Sequence, residues 1–217
     1  GGGSIVLGVM ALLLPPAVLI PLHGAVQLGS NFCRASLMIK NLSFTHIIPF
    51  TLGTFGGALL GGHIFVELPV MALQIILAIF ILYSAWGIKL KGKPISKTIF
   101  FFLGNISSFL TMFVGATGPI IAPFVAAACQ NRQQIVATHA FLMSLQHGLK
   151  LITFSILGFS VSPYVPLLIG MLLFGLIGTC VGKLILNKLP EKIFRIGLKY
   201  LLTFISLRLI YSTLYSP

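Results

Sequence analysis

The sequence predicts an all-α integral membrane protein: a single transmembrane domain over residues 1–217 built from two repeats of inverted topology. Three observations predict it. The 217 residues are 57% apolar and 7% charged, with a mean hydropathy of +1.08, whereas a soluble domain carries about 25% charged residues. Apolar runs recur along the whole chain, with only short polar loops between them. One of those runs is broken by VGATGPIIAP, Val114 to Pro123. Such a break is tolerated at membrane depth only where protein buries it or where it lines a cavity.

The segments follow in order. Residues 3–13 form a short apolar stretch that ends at Pro15-Pro16, and 17–41 form a long one. Segments 46–66 and 69–89 come next, then the basic loop KLKGKPISK over 89–97. After 98–114, the break and the short run 118–128, the polar stretch QNRQQ leads into 133–158. Segments 163–186 and 192–214 complete the chain. A full span needs about 20 residues, which five or six of these supply. As a single helix, 98–128 would reach about 46 Å against a hydrocarbon core of about 30 Å. A re-entrant hairpin that turns at Gly115–Pro119 fits better.

Charge sets the orientation. The chain has 14 Lys and Arg, two Glu and no Asp. Most cations lie at the ends of apolar runs, as orientation in a membrane requires, so the positive balance does not point to nucleic acid. Lys40 and loop 89–97 share a side, and Arg132 with Lys183, Lys188, Lys192 and Arg195 share a side. With positive inside, loops 89–97 and 129–133 are both cytoplasmic, and the segment between them crosses an even number of times. GFSVSP and the C-terminal STLYSP carry no charge and face out. Cys33, Cys129 and Cys180 show no metal spacing and read as reduced apolar fillers. No cofactor motif occurs.

A weak repeat supports two halves, about 1–90 and 98–217. Displaced by 116, Gly2, Ile5, Val9, Ala11 and His23 meet Gly118, Ile121, Val125, Ala127 and His139, while Arg34 meets Lys150 and Asn31 meets His147. Displaced by 121, residues 57–77 match at seven of 21 positions, including Gly57/Gly178 and Gly61/Gly182. Each repeat is then a broken hairpin plus three transmembrane helices. The first arm of repeat 1 has no counterpart in the chain, and an apolar arm of about 15–20 residues is expected before Gly1. The alternative is that GGGS is a linker.

Function is expected along two polar stripes. His23, Gln27, Ser30, Asn31 and Arg34 share one helical face, and His139, Ser144, Gln146, His147 and Lys150 mostly share another. Ionisable residues inside a membrane mark a pathway, although Arg34 and Lys150 are also long enough to snorkel to the interface. Two cations without an acid call for an anion. Helices starting at Gly118 and near Gly3 direct unpaired N–H groups and a positive dipole end at it. Ser4 and Thr117 add hydroxyl donors. A purely structural kink is the bland alternative. Imidazoles at His23, His139 and His147 can carry protons or donate to an anion, unless neighbouring helices simply satisfy them. Three histidines on two helices lack zinc spacing.

These residues carry a family resemblance. GGGS opening a short helix, then LPLHGAVQLGSNFCRASLMIKN, resembles the first half of the sulfite exporter TauE/SafE family of membrane permeases, and GATGPIIAPFVAAA with VATHAFLMSLQHGLK resembles its second half. The similarity implies a permease of the bacterial inner membrane that exports small sulfur-containing anions such as sulfite or sulfonates. It implies a path lined by Gly1 to Ser4 (Gly2 and Gly3 included), His23, Thr117 to Pro119 (Gly118 included) and His139. The expected function is thus a secondary transporter of a small anion working by alternating access, with proton coupling left open. Its partners are that anion and the lipid bilayer. A passive channel on the same donors is the first alternative. A membrane-embedded enzyme lacks carboxylates and a nucleophile–base pair, and a ligand-free scaffold leaves the stripes unexplained.

Overall fold

The computed structural model describes residues 2–86, 95–186 and 191–215. Most of the basic loop 89–97, Gly1, Lys188 and the side chains of Lys183, Lys192 and Arg195 lie outside the described residues. The described chain is helical throughout. Its elements are α1 (Gly2–Ala11), α2 (Pro16–Leu37), α3 (Phe44–Glu67), α4 (Val70–Trp86), α5 (Lys97–Val114), α6 (Gly118–Ala128), α7 (Arg132–Ile156), α8 (Val165–Leu186) and α9 (Glu191–Tyr215). By length and composition α3 and α5 are long and apolar enough to cross a membrane. Cys33 and Cys129 are free thiols.

Local chemistry sets the boundaries. Pro15 is extended and Pro16 starts α2, where a missing N–H costs nothing. Asn131 caps α7 by accepting from the Gln134 N–H at 2.9 Å, and Ser96 caps α5 at Ile99. α5 ends because Gly115 takes φ +76°, a conformation that costs an L-residue roughly 1–2 kcal/mol. α2 ends at Leu37, short of the expected residue 41, so Arg34 lies in its last turn rather than two turns in.

Helices α3 and α5 form the most extensive pair. Their contact advances in step, with Gly53 on Phe101, Gly57 on Asn105 and Gly61 on Phe109, so the two run parallel. A Cβ at Gly53 or Gly57 would collide with the α5 backbone. Small residues permit such approach between apolar helices.

The break reverses the chain. Phe100 and Leu103, near the start of α5, share a buried cluster with Ile121 and Val125 of α6, and Ile95, Ala128 and Cys129 border the same cluster. α6 therefore returns toward the end from which α5 came. α7 then packs on α2, α3 and α6, and α4 packs on α9. Outward faces are apolar, with Leu37 82% and Phe174 74% exposed.

Candidate functional site

The two short helices begin alike. α1 doubles back on α2, which places Gly3 beside His23 and Gln27: His23 Nε2 lies 3.1 Å from the Gly3 carbonyl, and a Cβ on Gly3 would strike the Gln27 amide. α6 doubles back on α7, which places Gly118 beside His139 and Met143: His139 Nε2 lies 3.2 Å from the Gly118 carbonyl. In both, a histidine and the residue four positions later cover the first turn of a short helix.

The Gly115 carbonyl joins these units. Lys150 Nζ donates to it at 2.7 Å and Thr111 Oγ1 at 3.3 Å, and His23 Nδ1 lies 3.1 Å away. His23 thus spans from α1 to the end of α5, facing a carbonyl with each ring nitrogen. A carbonyl only accepts and a neutral imidazole has one N–H, so neutral His23 donates to one of the two.

Lys150 is fully buried. Among the described residues no carboxylate is buried with it, and Glu67 is exposed beside His63 at the end of α3. Among the described residues its one hydrogen bond goes to Gly115, which leaves two N–H bonds to fill. His147, one turn before it on α7, is 1% exposed, and its Nδ1 has no partner among the described residues. The His147 and His23 rings meet edge to face at 6.2 Å.

The backbone of the break adds donors. Ile120 and Ile121 N–H groups bond to the Thr117 carbonyl at 2.9 and 3.2 Å, and Pro119 has none to offer. Among the described residues the N–H groups of Ala116, Thr117 and Gly118 have no partner. Consecutive free N–H groups at a helix start form an anion-binding concavity.

The predicted residues therefore separate. His23 and Lys150 converge on the Gly115 carbonyl, Thr117 lies in the break, His147 stands against His23, and His139 borders the break from Gly118. Gly2, Gly3 and Ser4 form the first turn of α1, with Ser4 buried. Pro119 is exposed. Asn31 is buried and donates to the Gln27 carbonyl at 2.8 Å, so its amide serves its own helix. Arg34 and Ser30 are exposed, so Arg34 does not share the burial of Lys150. The Thr117 hydroxyl bonds to Gln146 rather than pointing free. Sequence reasoning left Gln146 on the stripe without a role and overlooked Ser107 and Ser108, which Gln146 also bonds. A small-polar face at Gly104, Ser107, Ser108 and Thr111 of α5 was the available signal.

The described residues form a helical molecule with apolar outer faces, two short helices that start inside it and a buried cluster of donors with no carboxylate among them, an arrangement that fits a helical membrane permease. A family model described as Sulfite exporter TauE/SafE matches residues 1–209, and the chain belongs to that family. The family is one of membrane transporters for sulfur-containing anions. No curated protein and no solved structure matches the chain.

Proposed function

We propose that the protein is a secondary transporter that exports a small sulfur-containing anion, sulfite or an organosulfonate, across the bacterial inner membrane. The observation that carries this reading is Lys150: a fully buried cation with one carbonyl partner, beside free N–H groups of the break and the unpartnered His147 Nδ1. A buried charge without a counter-charge costs several kcal/mol. An oxyanion at the break compensates the charge and accepts from the backbone at once. A sulfonate or sulfite group suits it, because three oxygens can meet donors that converge from α7 and the start of α6.

Access follows the exposure gradient along α2 and α7. Arg34 and Ser30 are exposed, Gln27 and His139 half-buried, and His23, His147 and Lys150 buried. Arg34 meets the anion at the mouth, Gln27 and His139 flank its way past Gly3 and Gly118, and Lys150 and His147 hold it. Loop 89–97 and the Arg34 end face the cytoplasm and the C-terminus faces out, by the distribution of cations. Alternating access is rocking of the two inverted repeats about this site. The likeness of the His23–Gly3 and His139–Gly118 contacts supports that arrangement.

The test is flux of radiolabelled sulfite into liposomes containing the purified protein. The reading predicts saturable uptake that unlabelled sulfite on the far side accelerates by exchange. Uptake no faster than into empty liposomes contradicts transport, and non-saturating conductance makes the protein a channel.

A further inference from the structure

Thr117 occupies the N-cap position of α6 without capping it. An N-cap threonine normally accepts a backbone N–H from the second or third helical residue. Here the second is Pro119, which has none, and the third, Ile120, bonds to the Thr117 carbonyl at 2.9 Å. The Thr117 side chain turns away, and its Oγ1 donates to Gln146 Oε1 at 2.7 Å. Gln146 Nε2 in turn donates to the hydroxyls of Ser107 at 2.9 Å and Ser108 at 3.1 Å on α5. All four side chains are fully buried. An amide offers a donor at one atom and an acceptor at the other, so Gln146 holds the hydroxyl in either orientation of its head group.

This network decides what the break presents. A threonine hydroxyl released at this position satisfies itself on local backbone N–H groups. Pro119 has no N–H and that of Ile120 is taken, so the local donor left is the free N–H of Thr117 itself, and the freed hydroxyl turns back across it. That is where an oxyanion must approach. The free N–H groups of Ala116, Thr117 and Gly118, with Lys150 Nζ on the adjacent Gly115 carbonyl, stay open only while the side chain is held elsewhere.

We propose that Gln146 is a positioning residue of the anion site: anchored by Ser107 and Ser108, it holds the Thr117 hydroxyl away from the free N–H groups of the break and keeps those backbone donors open to an oxyanion. The proposal rests on the anion reading above. It gives α5, the break and α7 a common polar anchor and assigns a role to Ser107 and Ser108, which lie outside the predicted stripes, and to Gln146, which lies on one of them.

The test is a titration of the purified full-length chain with methanesulfonate, followed by calorimetry, with circular dichroism of each variant as a check on folding. Gln146→Met is expected to bind about tenfold more weakly, the loss typical of one disturbed hydrogen-bond site. Adding Thr117→Val to it removes the hydroxyl that would swing in, and the double variant is expected to recover most of that loss. A general packing defect at Gln146 would not be relieved in this way. Should Gln146→Met fail to fold, the pair Ser107→Ala with Ser108→Ala leaves Gln146 in place without its anchors, and an affinity about threefold lower is expected. Wild-type affinity in Gln146→Met or in the serine pair, or a double variant no tighter than Gln146→Met, overturns the proposal while the anion reading stands. A wild-type chain that binds neither methanesulfonate nor sulfite removes the anion reading and this proposal with it.

Discussion

Lys150 has no buried acid among the described residues to neutralise it, and its ammonium sits on a neutral carbonyl. Such a charge weakens the anion-free protein and strengthens the anion-bound one. Lys150→Met should therefore leave the anion-free protein as stable as wild type or more so, by up to about 1–4 kcal/mol. It should also abolish stabilisation by sulfite. Thermal unfolding with and without the anion separates the two effects. Gly115 is the second residue on which the site depends. Gly115→Ala meets a strained φ and would press its Cβ on Leu7 at 2.6 Å. A loss of about 2 kcal/mol or more is expected from strain and overpacking together, read as a fall in Tm. The sequence could not distinguish Arg34 from Lys150, because the repeat aligned them at equal depth. Depth is decided by where each helix stops: α2 ends three residues after Arg34, and α7 continues six residues past Lys150.

Helix ends and the break were nearly all legible from Pro, Gly and the apolar runs. α6 begins at Gly118 and ends at Ala128, as its apolar run predicts. What a linear reading could not supply was the pairing of helices. The glycines of α3 are visible in the sequence, but not that Gly57 and Gly61 admit the α5 backbone. Replacing Gly57 tests that contact. Gly57→Leu forces α3 from α5 at their closest approach, because even a Cβ there would collide with the Asn105 carbonyl. The expected destabilisation is at least about 3 kcal/mol, the upper end of overpacking costs, measured as lost folded protein in detergent. Gly170 on α8 has open space around it, so Gly170→Ala should shift Tm little. A comparable loss at both positions would contradict the packing described for α3 and α5.

Across the whole molecule, two histidine-covered helix starts and one cross-linking carbonyl make a single donor-rich centre. His23 reaches from the first turn of α1 to Gly115, while Lys150 reaches the same carbonyl from α7. An anion that draws Lys150 away from Gly115 frees the carbonyl that His23 also faces from α2, so occupancy should be felt on both sides of that carbonyl. This coupling predicts that sulfite changes protease or hydrogen-exchange protection at Gly115–Gly118 and on α1 together; protection that changes only on α7 would deny it. The carbonyl hub was invisible in the sequence because backbone groups carry no residue identity. The polar stripes and glycine breaks that surround it were legible. The most direct test of the central claim is equilibrium binding of sulfite, sulfate and methanesulfonate to purified wild type and Lys150→Gln, by thermal shift at one fixed pH. The account predicts selective stabilisation of the wild type by a sulfur oxyanion and none in Lys150→Gln. Equal stabilisation of both proteins, or of neither, would contradict it.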